Sequence, residues 1–248
     1  MDFLQAPHDM ELGPGEIHLW RHFIDLTRPP ESAMVDVLSP DERLRAERYL
    51  SPAKRADFIQ QRALLRNILA RYLTFSPADI VFQYSAQGRP SLDPGTHKQQ
   101  VNFNLSHSGQ TVLYTVAYDR TVGVDVELMR QDINIRAIGK RYFTASEVEF
   151  LAATASSEQR KIFFKIWVSK EAYLKARGEG LHVPLNSFET IPTDNKSIII
   201  SSLRNDKTDP DWKIELFEPY PDYMGAIAAP GRDWSWRGYD VTPTILKK

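Results

Sequence analysis

The chain has 248 residues, with 31 lysines and arginines against 32 aspartates and glutamates and a net charge of −1. That balance excludes a dedicated nucleic-acid binder, which carries a basic excess over its whole domain. Cysteine is absent, which excludes disulfides, thiolate zinc sites and a cysteine nucleophile together. Residues 1–16 lack the apolar core of a signal peptide. No run approaches the roughly 18 apolar residues of a membrane helix. The expectation is a soluble, cytoplasmic protein with neither nucleic acid nor membrane as partner.

Glu16–Phe23 alternates as a strand does. Ser39-Pro40-Asp41-Glu42 starts a helix, with a serine cap, proline at the first helical position and a glutamate placed for a capping box. Ser51-Pro52 starts a second helix that runs to about Tyr72, and Phe58, Leu65, Leu69 and Tyr72 form its apolar stripe, with Leu64 and Ile68 beside it. Strands follow at Ile80–Tyr84, Val101–Ser106 and Thr111–Tyr118, the run broken by turn residues at 85–90. Val122–Leu128 opens a similar series. Thr144-Ala-Ser-Glu147 is a second capping box, a long helix covers about Ser157–Arg177, and Gly178 is placed to stop it. Strands return at Ser197–Leu203, Trp212–Phe217 and Met224–Ala228. The order of strand, helices and strands thus occurs twice, which predicts an α+β fold of two lobes, 1–120 and 121–248.

Four segments carry chemistry. In Gly123-Val-Asp125-Val-Glu127 the valines share one strand face, and Asp125 and Glu127 share the other, about 7 Å apart. Two carboxylates so placed suit a hard cation such as Mg²⁺, and equally an exposed strand face whose acids meet solvent. On a helix, Phe163, Trp167, Glu171 and Lys175 recur every fourth residue and form one row; core aromatics with a surface ion pair give the same pattern. Asn104-Leu-Ser106-His107-Ser-Gly109 ends a strand in groups able to contact phosphate, or is a polar hairpin turn. No G-x-S-x-G elbow accompanies it, which disfavours a serine hydrolase. Finally, residues 39–73 hold eight basic and four acidic side chains, and arginine's planar fork suits phosphate.

Taken in order, Gly88-Arg89-Pro90, Asn104-Leu-Ser106-His107-Ser, Gly123-Val-Asp125-Val-Glu127 and Trp167-Val-Ser-Lys170-Glu171-Ala-Tyr-Leu-Lys175 resemble the signature of the 4′-phosphopantetheinyl transferases. The likeness covers about residues 39–230, and Tyr142-Phe143 and Gly178–Leu181 also fit the pattern. Length and element order resemble the surfactin-synthetase-activating type, a pseudo-dimer of two similar α+β lobes with the active site in the cleft between them. The resemblance implies transfer of the phosphopantetheine arm of coenzyme A to a serine of an apo acyl, polyketide or peptidyl carrier protein, by a monomer. It implies Mg²⁺, with Mn²⁺ as a substitute, on Asp125, Glu127 and Glu171. Ser106 and His107 would contact phosphate oxygens, with Lys175 near the pyrophosphate. Arg45, Arg62 and Arg89 would hold the 3′-phosphate, with Pro90 in the same loop. Arg89 stands where many members have lysine, which keeps the charge. Glu171 or Glu127 would be the base, and Lys175 the acid or electrostatic partner. The stretch after Glu127 pairs Met129, Ile133, Ile135, Ile138 and Phe143 with Arg130, Arg136, Lys140 and Arg141, an apolar centre with a basic rim suited to docking an acidic carrier. The alternatives are another Mg²⁺-dependent phosphoryl enzyme, such as a nuclease, or a binding module that has lost turnover.

Overall fold

The computed structural model describes residues 3–7, 10–25, 27–86, 88–98, 100–178, 183–192, 197–200 and 211–242. In chain order they form β1 (Leu4–Gln5), β2 (Glu16–Phe23), α1 (Ser32–Asp36), α2 (Pro40–Glu47), α3 (Pro52–Leu69), β3 (Phe82–Tyr84), β4 (Pro90–Leu92), β5 (Val101–Ser108), β6 (Thr111–Tyr118) and β7 (Gly123–Leu128). Then follow α4 (Ile135–Tyr142), α5 (Ala145–Ala153), α6 (Gln159–Arg177), β8 (Ser197–Ile200), β9 (Trp212–Phe217), β10 (Tyr223–Pro230) and β11 (Ser235–Asp240). The chain divides into two compact α+β units. One takes residues up to 102, 110–119 and those from 236 onward, and the other takes 103–109 and 120–235. Among the described residues no helix is long and apolar enough to cross a membrane.

In the first unit β1, β11, β2 and β6 lie side by side in one sheet. β2 and β6 run antiparallel, with Trp20 opposite Tyr114. α3 packs against α1, α2 and β6 through an apolar face whose Leu64, Leu65, Ile68 and Leu69 are fully buried. The capping box at Ser39 forms as its sequence predicts, and its glutamate has a second use. Glu42 is buried, and its Oε1 accepts from Arg62 Nε at 2.8 Å while Oε2 accepts from Arg66 Nε at 2.6 Å. One carboxylate thus caps α2 and pairs with two arginines of α3.

The second unit holds an antiparallel sheet in the order β7-β10-β9-β8, with α6 packed on β7, β10 and β9. Asp125 of β7 stands opposite Ala226 of β10, and Glu127 opposite Met224. Phe163, Phe164, Ile166, Ala172, Tyr173 and Ala176 of α6 are buried with Ile214 of β9 and Met224 and Ala226 of β10. Thr144 and Glu147 cap α5 in the predicted box.

Several elements were not foreseen: β1, α1, β4, α4 and β11. α1 and β4 are too short, at five and three residues, to show a period, and β4 opens on a proline within what looks like a turn. The long second helix stops at Leu69 rather than Tyr72, and β5 runs on to Ser108. Of the strand expected over Ser197–Leu203, residues 201–203 lie outside the described residues, as do 179–181 of the segment after α6.

Candidate functional site

β7 is an edge strand, so alternate backbone N–H groups point away from β10. Side chains of β5 take them up. Asn104 Oδ1 accepts from Val124 N at 2.9 Å, Ser106 Oγ from Val126 N at 3.3 Å and Ser108 Oγ from Leu128 N at 3.1 Å. The period of two in both strands makes this ladder, and it sets Ser106 and His107 beside the two acids of β7.

Gly123 brings up the helix. A Cβ there would lie 2.1 Å from Ala172 O and 2.4 Å from Ala176 N, so the backbone of α6 rests directly on β7. Glu171 and Lys175 flank that contact in sequence and come to Asp125 and Glu127, which share Gly123's face of the strand. Gly178 then ends α6 in the left-handed conformation (φ 71°), its N–H donating to Leu174 O.

The result is a cavity of about 310 Å³ lined by Leu105, Ser106, His107, Asp125, Glu127, Trp167, Glu171 and Lys175. Trp167 is stacked on Phe163 with ring centroids 6.0 Å apart. Asp125 was expected on an open strand face; it is 4% exposed, because α6 covers that face. Its Oδ1 accepts from Ser106 Oγ at 2.8 Å and from Lys175 Nζ at 2.7 Å, and Lys175 also donates to Ser106 Oγ at 2.8 Å. Asp125 Oδ2 is buried and accepts no hydrogen bond.

Three carboxylates and one lysine share this cavity, and the acids crowd one another. Burial, then the charges of Asp125 and Glu127, push Glu171 up from its ordinary 4.5 to about 6, against the pull of Lys175. Burial also raises Glu127, opposed by its hydrogen bond from Ser108 and seconded by Asp125. A proton or a cation would relieve both. As the side chains stand, no group of three or more His, Asp or Glu residues among those described is gathered ready to hold a metal ion.

The ten site residues singled out from the sequence therefore behave as follows. Ser106, Asp125, Glu127, Glu171 and Lys175 meet on the cavity, with His107 exposed at its edge. Ser106 is not free to bind phosphate as it stands, since its one proton and both lone pairs are engaged by Asp125, Lys175 and Val126. Lys170 of the same motif lies away from the cavity, buried against Glu147. The remaining candidates belong to the first unit. Arg62 is buried, held by Glu42 and donating to Tyr84 Oη at 2.5 Å. Arg45 is exposed over the ring of Phe58, 5.3 Å from its centre. Arg89 is half-buried in the turn before β4, where Pro90 begins the strand, and burial lowers its pKa. Sequence reading missed Ser108 and Gly123 as parts of the site. The available signal was the S-x-S pair ending β5 and the G-x-D-x-E run opening β7.

A family model described as the 4′-phosphopantetheinyl transferase superfamily matches residues 121–228. A second, described as the N-terminal part of 4′-phosphopantetheinyl transferase, matches residues 28–118. The 4′-phosphopantetheinyl transferase HetI of Nostoc sp. is 34% identical over 235 residues, which is 94% of this chain and 95% of that protein. The 4′-phosphopantetheinyl transferase Sfp of Bacillus subtilis is 26% identical over 209 residues, 80% of this chain and 89% of its own. The 4′-phosphopantetheinyl transferase gsp of Aneurinibacillus migulanus is 31% identical over 159 residues, 63% and 62% of the two chains.

Proposed function

We propose that this chain, which belongs to the 4′-phosphopantetheinyl transferase superfamily, moves the phosphopantetheine arm of coenzyme A onto a serine of an apo acyl, polyketide or peptidyl carrier protein. The observation that supports this best is the row of Trp167, Glu171 and Lys175 facing Asp125, Glu127 and Ser106 across one polar cavity. In the reaction the carrier serine oxygen forms a bond to the β-phosphorus of coenzyme A. The bond from that phosphorus to the oxygen of adenosine 3′,5′-bisphosphate breaks.

The serine proton needs an acceptor. Glu171 titrates near neutrality and stands on the cavity wall, so it is our candidate base, with Glu127 acting through a water as the alternative. Lys175 gives the departing phosphate a fixed positive partner, a role that asks only for placement and charge. An orphaned oxygen on buried Asp125, with two further acids lining the same cavity, fits a hard divalent cation, and Asp125, Glu127 and Glu171 would hold Mg²⁺ or, in its place, Mn²⁺. When bound, the ion would neutralise charge on the pyrophosphate oxygens. Arg45, Arg62 and Arg89 remain our reading for the 3′-phosphate, by resemblance. Of these, Arg62 already shares its charge with Glu42.

The carrier is read as docking on α4 and the stretch before it. Phe143 turns out to be core, whereas Ile133 and Ile138 wall an apolar hollow of about 160 Å³ that adjoins Glu127. Arg136, Lys140 and Arg141 are exposed on α4. Reversing Arg136 or Lys140 to Glu should raise KM for the carrier and leave KM for coenzyme A alone, and no change across low and moderate salt would move the docking surface elsewhere. We read the active unit as a cytoplasmic monomer; light scattering that found only a stable oligomer would contradict that. The reaction itself is tested by incubating purified apo carriers with the protein, coenzyme A and Mg²⁺. Mass spectrometry should find the phosphopantetheine mass added to serine, and a panel of acyl, polyketide and peptidyl carriers left unmodified would overturn the reading.

A further inference from the structure

Ser106 and Ser108 lie two residues apart on β5, so they meet β7 in the same way. Ser106 Oγ accepts from Val126 N and donates to Asp125 Oδ1 at 2.8 Å. Ser108 Oγ accepts from Leu128 N at 3.1 Å and donates to Glu127 Oε2 at 2.7 Å. Each serine thus takes the outward N–H of one β7 residue and gives its proton to the carboxylate of the residue before. The same contact is made twice, two residues along on both strands. Asn104 begins the series by accepting from Val124 N, and there the preceding residue is Gly123, with no carboxylate to orient. A polar surface residue that happened to touch Glu127 would not reproduce its neighbour's whole pattern.

We infer that Ser108 is a positioning residue for Glu127, and the inference rests on the transferase reading of that glutamate. A hydroxyl has one proton. With Leu128 N–H donating to its oxygen, the Ser108 hydroxyl is oriented to spend that proton on Glu127. A glutamate carries three side-chain torsions, and ordering them costs conformational entropy. The serine meets that cost before any ligand arrives, so the carboxylate is placed in advance. Ser106 does the same for Asp125 but also contacts Lys175, so its removal would disturb charge and orientation together. Ser108 bonds to Glu127 and to Leu128 N, and among the described residues no ion pair involves it, which makes Ser108 the cleaner probe.

The test uses the full-length protein with Ser108→Ala and Ser108→Thr, an apo carrier that the wild type modifies, and coenzyme A. Ser108→Ala should lower kcat about tenfold while KM for coenzyme A and for the carrier stay within about twofold, because misplacement of a reacting group acts on the chemical step. Ser108→Thr keeps the hydroxyl and should recover most of kcat. Crystal structures without ligand give a readout independent of turnover, with one Glu127 rotamer in the wild type and several in Ser108→Ala. Faster amide exchange at Leu128 with unchanged kcat would reduce Ser108 to a strand cap and overturn the inference. So would a single Glu127 rotamer in both structures, or a loss of kcat that threonine fails to restore. A wild type that modifies no carrier would instead overturn the transferase reading, while the rotamer comparison would still judge Ser108.

Discussion

Two lysines five residues apart on α6 each meet a buried carboxylate, and the two meetings are built differently. Lys170 is fully buried, and its Nζ donates to Glu147 Oε1 at 2.9 Å, to Leu185 O at 2.8 Å and to Phe188 O. Glu147 also accepts from Thr190 N at 2.7 Å and, through its other oxygen, from Thr144 N at 2.9 Å. Neither side chain has an unpaired buried atom. Lys175 lies 30% exposed and shares Asp125 Oδ1 with Ser106, while Asp125 Oδ2 is buried without a donor. Five residues turn a helix by about 500°, so the two lysines point to well-separated sides of α6. The closed network fastens α6 to the cap of α5 and to the segment at 185–190. The open one faces a cavity. Buried polar groups are nearly always satisfied, so an orphan beside a cavity marks where a partner is missing from the protein alone. As a member of its superfamily the chain is a transferase, and on the function proposed above its substrates would supply that partner at the open network.

The sharpest way to break this contrast is to remove each charge in turn. Lys170→Ala leaves Glu147 charged, buried and short of a donor. Breaking such a pair costs about 3–5 kcal/mol, which in a chain of this size lowers Tm by on the order of 10 °C. Replacing both partners, Glu147→Met with Lys170→Met, should recover much of that loss in thermal unfolding, because no buried charge is then stranded. A Lys170→Ala protein that melts like the wild type would show that the closed network holds nothing. Asp125→Ala is the counterpart at the open network. It should shift Tm by only a few degrees yet lower transfer activity at least about 10²-fold, since a preorganised charge at the reacting phosphate is lost. Near-normal turnover by folded Asp125→Ala would place the chemistry elsewhere.

What the sequence made legible divides along the same line. Both capping boxes, the stop at Gly178 and the single row of Trp167, Glu171 and Lys175 follow from rules that act within one or two helical turns, and the structure has all of them. The closed network was not legible. Glu147 lies 23 residues from Lys170, and its sequence context marks it only as a helix cap. The pairing of Arg62 with Glu42 was hidden in the same way, because nothing local links its guanidinium to a carboxylate 20 residues earlier. Gly123 was quoted within a motif, but its contact with the backbone of α6 depends on an element some 50 residues on. Contacts of this kind are set by packing, and packing leaves no period in the sequence.

The smallest effect gives the most direct comparison, because its sign should be opposite. The Glu171 carboxyl titrates at about 6 instead of 4.5, chiefly because burial disfavours its charge. The folded protein therefore keeps this proton to higher pH than the unfolded chain does. Near pH 4 both states hold it. As pH rises through 4.5 the unfolded chain releases the proton first and is stabilised by doing so, so the stability that comes from holding it is lost by the time pH passes 6. Glu171→Gln has no charge to form and escapes that loss. Without ligands, variant and wild type should melt together near pH 4 and part as pH rises. Above pH 7 the variant should melt higher by about 2–4 °C, or about 1 kcal/mol once the partial exposure of Glu171 is allowed for. Removing the Lys170 charge from the closed network should destabilise the fold, whereas removing the Glu171 charge beside the open one should stabilise it and, on the proposed mechanism, lower activity. A Glu171→Gln protein that melts below the wild type at pH 8 would mean that Glu171 is held by the fold as Glu147 is, and the distinction between the two networks would fail.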